Sequence, residues 1–230
     1  MATDSPIQQA NTIPRLEPGD CLTQSEFERR YSAMPDCKKA ELLEGIVYMN
    51  AAVRVEQHGE PHATLAGLLF VYTASTPGIR SADNASVRLD ADNTPQPDCL
   101  LFIDPTCGGR VRISEDDYLE GAPEFVAEIA TSSVSYDAGP KRRVYQQHGV
   151  QEYLIWRFAD RAIELNRLVD REYQLVSPED DILHSQRFPG LWFNIKALLD
   201  GDLAAALETL QQGLATAQHS EFVDQLAAKR

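Results

Sequence analysis

Asp98, Glu128 and Lys141 are the residues of this chain whose types and spacing could do chemistry together. The carboxylates fall at or in short apolar runs that read as strands, Asp98-Cys-Leu-Leu-Phe-Ile103 and Glu124-Phe-Val-Ala-Glu-Ile-Ala130, and Lys141 opens the next helix. Two carboxylates on adjacent strands with an ammonium nearby suit a hard divalent cation and a phosphodiester. Magnesium prefers carboxylate oxygens and keeps several waters, one of which can become a nucleophile. Strand alternation puts Asp98, Leu100 and Phe102 on one face and Glu124, Val126, Glu128 and Ala130 on one face of the later strand. If the two strands are neighbours, Asp98 and Glu128 converge. A glutamate in so apolar a run is a poor structural choice unless it is paired or ligates a cation. The structural alternatives are a Pro97-Asp98 that merely starts a strand, a Glu128 salt bridge to Lys141 or Arg143, and a solvated Lys141. Tyr145, four residues on from Lys141, reads as core.

The elements that must position these groups can be read in order. Thr23-Gln-Ser-Glu26 has capping-box spacing, with Phe27 and Tyr31 on the helix that follows. Glu41 to Met49 reads as a strand or tight hairpin around Gly45. Pro61 starts an amphipathic helix carrying Leu65, Leu68, Leu69 and Tyr72 and ending at Pro77-Gly78. Ala85 to Asp90 alternates as a strand before the Asp98 run. Asp137-Ala-Gly-Pro140 opens a helix that stops at Gly149. Glu152 to Trp156, Arg161 to Val169 and Glu172 to Val176 read as strands, the last two as a hairpin, and Pro189 to Phe193 closes the domain. From Ile195 onward, leucines recur at helical spacing. This order gives a mixed α/β fold with helices packed on a central sheet. The C-terminal helices pack either on that domain or on a second copy, and these apolar helices are one of two reasons to expect a homodimer, the other being the habit of the superfamily that the chain resembles below.

Composition narrows the function. With 43% hydrophobic and 24% charged residues the chain is an ordinary globular one. It has no apolar run long enough for a membrane span and no signal-peptide pattern at its start. Cys21, Cys37, Cys99 and Cys107 are scattered without a CxxC pair, which fits a reduced, cytoplasmic protein, with Cys99 a small core residue. The formal net charge of −14 opposes tight, unaided binding of a polyanion. Lys141-Arg142-Arg143 is the candidate for a local basic strip. His58-Gly-Glu-Pro-His62 superficially resembles a zinc pair, but Gly59 and Pro61 are expected to break the helix that an HExxH site requires. No Walker loop, GxSxG elbow or dinucleotide fingerprint is present.

An ordered set of motifs carries a family resemblance. Glu41-Leu-Leu-Glu-Gly45, His62 opening a helix, Gln96-Pro-Asp98, Ala122-Pro-Glu-Phe-Val-Ala-Glu128 and Asp137…Lys141…Tyr145…Gly149-Val-Gln-Glu-Tyr153 resemble the Uma-two family of the PD-(D/E)xK restriction-endonuclease-like superfamily. The resemblance covers roughly residues 20 to 200. It implies a nuclease-like domain over 21–200, between an arm over 1–20 that reads as flexible from its Pro, Asn, Gln and Asp content and a helical extension over 201–230 read from leucine spacing. It further implies that Asp98 and Glu128 hold magnesium, with manganese as a substitute, and that the carbonyl of Ile129 is a third ligand. Glu44 matches the acidic position of the first strand and becomes a supporting ligand. The lysine usual two residues after the glutamate is replaced by Ala130, and Lys141 matches a position moved to the following helix. The implied activity is magnesium-dependent endonucleolytic hydrolysis of DNA. Its rivals are a catalytically inactive nuclease fold serving as an interaction or regulatory module, and a nuclease acting on RNA or junctions.

Overall fold

The computed structural model describes residues 13–49, 54–131 and 137–230. Its first helix, α1 (Gln24–Ser32), has Thr23 at its N-cap, but the Thr23 side chain makes no capping bond. Glu26 is drawn instead to Arg29 and Arg30, at 2.7 and 2.6 Å, so charge pairing displaces the expected reciprocal cap. Strands β1 (Ala40–Leu43) and β2 (Ile46–Met49) form an antiparallel hairpin. Glu44 and Gly45 turn it with φ of 52° and 74°, the left-handed pair that matches strand twist in a two-residue loop.

A π-helical turn, Val55–Gly59, runs directly into α2 (Glu60–Ser75). Pro61 does not break this segment, because in the first helical turn its missing N–H would have had no partner anyway. There follow β3 (Ile79–Asp83), β4 (Val87–Arg88), β5 (Cys99–Ile103), β6 (Arg112–Ile113), β7 (Leu119–Glu120) and β8 (Phe125–Ala130). The strand expected over Ala85–Asp90 shrinks to β4 because Leu89 and Asp90 both turn their N–H groups onto the Asn93 carbonyl. A second π-helical turn, Asp137–Lys141, leads into α3 (Arg142–His148), which Gly149 stops at φ 81°. The remainder is β9 (Glu152–Arg157), β10 (Ala162–Val169), β11 (Glu172–Leu175), β12 (Ile182–His184), β13 (Trp192–Asn194), α4 (Ile195–Asp200), α5 (Leu203–Leu214) and α6 (Ala217–Ala227).

Six strands make the central sheet in the order β11-β10-β9-β8-β5-β3. β8 and β9 are its parallel pair, and the segment joining them contains α3. Its other pairings are antiparallel. Every residue of β5 and β8 is buried, as expected of central strands covered on both faces. Cys99, Leu101, Ile103, Phe125, Ala127 and Ile129 face a core completed by Leu65, Leu69 and Tyr72 of α2 and by Leu210, Phe222 and Leu226 of α5 and α6. The apolar stripes of the C-terminal helices thus pack against the sheet and α2 of the same chain. On the other face, Leu100, Phe102, Val126 and Ala130 meet Tyr145, Tyr153 and Ile155. A smaller core joins Leu16, Phe27, Met34, Leu42 and Val47. Residues 1–12 of the expected arm lie outside the described residues. From Leu16 the chain is seated, with that side chain buried and the Gly19 N–H donating to the Val47 carbonyl at 2.8 Å. Among the described residues no helix is long and apolar enough to cross a membrane.

Candidate active site

The β5–β8 register pairs Cys99 with Ala127, so one step further along both chains sets Asp98 opposite Glu128. Each is only 2% exposed. One oxygen of Asp98, Oδ2, accepts the Ile129 backbone N–H at 2.9 Å and lies 3.2 Å from His58 Nε2. The other, Oδ1, accepts from Lys39 Nζ at 2.8 Å. Glu128 Oε1 accepts from Lys141 Nζ at 2.8 Å and from the Tyr145 hydroxyl at 2.9 Å. Lys141 also reaches Glu41 Oε1 at 2.9 Å, and that same oxygen accepts the Gln96 N–H at 2.7 Å.

Local structure explains the convergence. Lys39 and Glu41 are two residues apart at the start of β1, where alternation directs both to one side. The π-helical turn carries Lys141 under the sheet, and α3 then places Tyr145 one helical turn away on the same face. The result is a cluster of three buried carboxylates, the buried Lys141 ammonium and the part-buried Lys39 ammonium. Burial alone would push the Asp98 carboxyl up; the His58 hydrogen bond and the Lys39 and Lys141 charges outweigh it and hold the group well below the usual carboxylate range. Burial likewise opposes the Lys39 charge, but Asp98 raises that ammonium above its ordinary value despite repulsion from Lys141. The Tyr145 phenol is raised well above its usual value by burial and by Glu128, so it stays a neutral donor.

Of the residues singled out in the sequence, the structure brings together Asp98, Glu128, Lys141 and the backbone of Ile129. Glu44 is elsewhere. It occupies the β1–β2 turn, its side chain 41% exposed, 3.2 Å from the more exposed Arg143. The acidic group that β1 contributes is Glu41, three residues earlier. The signal for it was available, since Glu41 sits in as apolar a run as Glu128 does. Lys39 gave no such signal, because a lysine at a strand end is ordinarily solvated. The histidines also lie closer to the site than a broken helix would allow. His58 meets the Asp98 carboxylate, and His62 Nε2 lies 3.0 Å from the Asp98 carbonyl oxygen. The expected Lys141-Arg142-Arg143 strip disperses. Lys141 is buried, Arg142 binds the Tyr173 carbonyl at 3.1 Å, and Arg143 pairs with Glu44. Three consecutive helical residues point in different directions, so they cannot form one basic face.

The donor set tests well against a hard cation. Asp98 and Glu128 offer carboxylate oxygens from adjacent strands, and oxygen is what magnesium and manganese prefer.

Comparison with known proteins agrees with this architecture. A family model, Uma2, described as "Putative restriction endonuclease", matches residues 25–196. The fold is similar to the crystal structure of a protein from Anabaena variabilis described as a "putative nuclease belonging to DUF820". That likeness has a TM-score of 0.56 at 14% identity and covers 75% of this chain and 96% of the other. Among curated proteins none matches the sequence.

Proposed function

The chain belongs to the Uma2 family, described as "Putative restriction endonuclease", and from that premise we propose that it is a magnesium-dependent endonuclease hydrolysing phosphodiester bonds in DNA. The observation that carries the reading is the cluster of buried Asp98, Glu128, Glu41 and Lys141 with part-buried Lys39. Taking several charges out of water is expensive, and well-packed apolar residues of similar volume would generally stabilise a fold as well or better. A cluster present against that cost, with perturbed titration, supports the reading of a functional site.

Asp98 and Glu128 would hold the cation, magnesium or its substitute manganese, with the Ile129 carbonyl as the proposed third ligand. When bound, the cation supplies Lewis-acid stabilisation of phosphate charge and makes water a stronger nucleophile. The remaining work falls to the chain itself. Tyr145 and Lys141 fix the Glu128 carboxylate through one oxygen, and the Ile129 N–H fixes Asp98. Glu41, anchored by the Gln96 N–H, holds Lys141 in place. Lys39 and Lys141 supply positive charge to offset that developing on the scissile phosphate. Lys141 thus takes the electrostatic role of the lysine that Ala130 displaces.

Purified protein should nick or cut DNA in magnesium or manganese, and Asp98→Ala should reduce the rate by at least about a hundredfold. Equal cleavage by wild type and variant would assign the activity to a contaminant and end this reading. A second reading, an inactive nuclease fold acting as an interaction or regulatory module, is favoured by the net charge of −14. Calorimetry separates the two, because the inactive fold predicts no magnesium or manganese binding that depends on Asp98 and Glu128.

A further inference from the structure

Behind the carboxylate cluster, on the opposite face of β5, three different ligand types meet. The β3–β5 register sets Asp83 directly opposite Cys99, so their side chains leave the sheet on the same face. Helix α2 lies over that face and brings His62 down onto them. One ring nitrogen of His62, one carboxylate oxygen of Asp83 and the Cys99 sulfur all lie within 4.8 Å of one another. His62 Nε2 is 2.7 Å from Asp83 Oδ1.

We propose that His62, Asp83 and Cys99 form a second metal site, one for a borderline divalent cation of the zinc class. The donor chemistry chooses the cation. Thiolate sulfur with imidazole nitrogen and one carboxylate suits zinc or cobalt, whereas magnesium demands oxygen. Around a tetrahedral zinc ion, with bonds of about 2.0–2.3 Å, ligand atoms stand roughly 3.3–3.8 Å apart. Reaching that range opens the 2.7 Å His62–Asp83 contact by roughly half an ångström and brings any ligand pair near the 4.8 Å limit in by about an ångström. Asp83 can move that far, because its side chain is 58% exposed, and the same exposure opens a route for the ion. Three protein ligands leave a fourth position for water.

The neighbouring backbone tolerates the change. The Asp98 carbonyl that His62 now touches also accepts the Asn84 N–H at 3.2 Å, so it keeps a donor when the ring turns to the ion. Binding converts the Cys99 thiol to thiolate and releases its proton to solvent. A His62–Asp83 ion pair over a small core residue would account for two of the three groups. It gives no reason for a thiol to be the atom beneath them. The proposal is independent of the DNA chemistry assigned to the other face.

Cobalt(II) titrated into the metal-stripped full-length protein tests it. One equivalent should bind with a thiolate-to-cobalt charge-transfer band, and zinc should bleach that band stoichiometrically while magnesium leaves it. Cys99→Ser should abolish the band, and Asp83→Asn, a change at an exposed side chain, should weaken cobalt binding by about tenfold or more. Glu128→Gln should keep the band. Cobalt binding without a sulfur band, or a band that survives Cys99→Ser, would overturn the site. The first of those outcomes would leave the oxygen site on the other face untouched.

Discussion

The two ends of β8 and its partners carry buried glutamates that look alike in sequence and behave differently in space. At the starting end, Glu152 is 1% exposed and Glu124 is fully buried. Glu152 accepts from the Ser185 hydroxyl and from the N–H groups of Gln186 and Arg187 at 2.8 and 3.3 Å, with the Arg167 guanidinium 3.5 Å away. Glu124 accepts the Ile103 N–H at 3.1 Å. At the finishing end, Glu128 and Glu41 share the ammonium of Lys141, while Asp98 takes that of Lys39. The hydrogen bonds at the first end come from backbone and hydroxyl donors, which hold loops to the fold, with the guanidinium groups of Arg110 and Arg167 at 3.6 and 3.5 Å. The second adds the ammonium groups of Lys39 and Lys141 to the Ile129 and Gln96 N–H groups and the Tyr145 hydroxyl. Burial of a glutamate therefore does not by itself distinguish a brace from a reactive site. The reactive site is proposed at the end whose donors include ammonium groups.

This contrast can be broken by one pair of substitutions. Glu128→Gln should lower the DNA-cleavage rate by about a hundredfold or more. Glu152→Gln should leave cleavage close to wild type and instead lower unfolding free energy by about 1.5–3 kcal/mol, the worth of hydrogen bonds to a charged group. Urea denaturation and a nicking assay on both proteins decide the matter, and matching losses of activity would erase the distinction. A smaller effect sharpens the electrostatics of the finishing end. The Asp98 carboxyl is held below its ordinary value of 3.8 in the folded state. Its contribution to stability is therefore present above that pH and is lost as pH falls through the folded value. Asp98→Asn should flatten the stability profile below pH 3.8 relative to wild type; an unchanged acid slope would place the depressed group elsewhere. The smallest effect concerns the exposed pair at the β1–β2 turn. Glu44→Gln should change stability by no more than about 0.5 kcal/mol and leave cleavage unaltered. A large loss of cleavage would return Glu44 to the site.

Asp98 and Glu128 are legible in the sequence because alternation and an apolar context are local properties. A carboxylate in a run such as Phe-Val-Ala-Glu-Ile announces its own cost. Lys141 could be located only by family position, since a helical lysine carries no local sign of burial. The choice between Glu41 and Glu44 turned on hairpin geometry. Both lie in Glu41-Leu-Leu-Glu44, but the turn takes Glu44 in a left-handed conformation to the surface while the strand keeps Glu41 inside. Pro61 misled for a related reason, because its effect depends on where the helix begins.

From the amino-acid sequence alone came the mixed α/β class, the two strands that bear Asp98 and Glu128, and the hard-cation chemistry they suit. These follow from side-chain type and short-range periodicity. Strand order, the arrival of Lys39 and His58 at Asp98, the dispersal of the basic strip and the meeting of His62, Asp83 and Cys99 were decided by tertiary structure. Each depends on contacts between residues far apart in the chain, and no local pattern encodes which distant charges will be buried together.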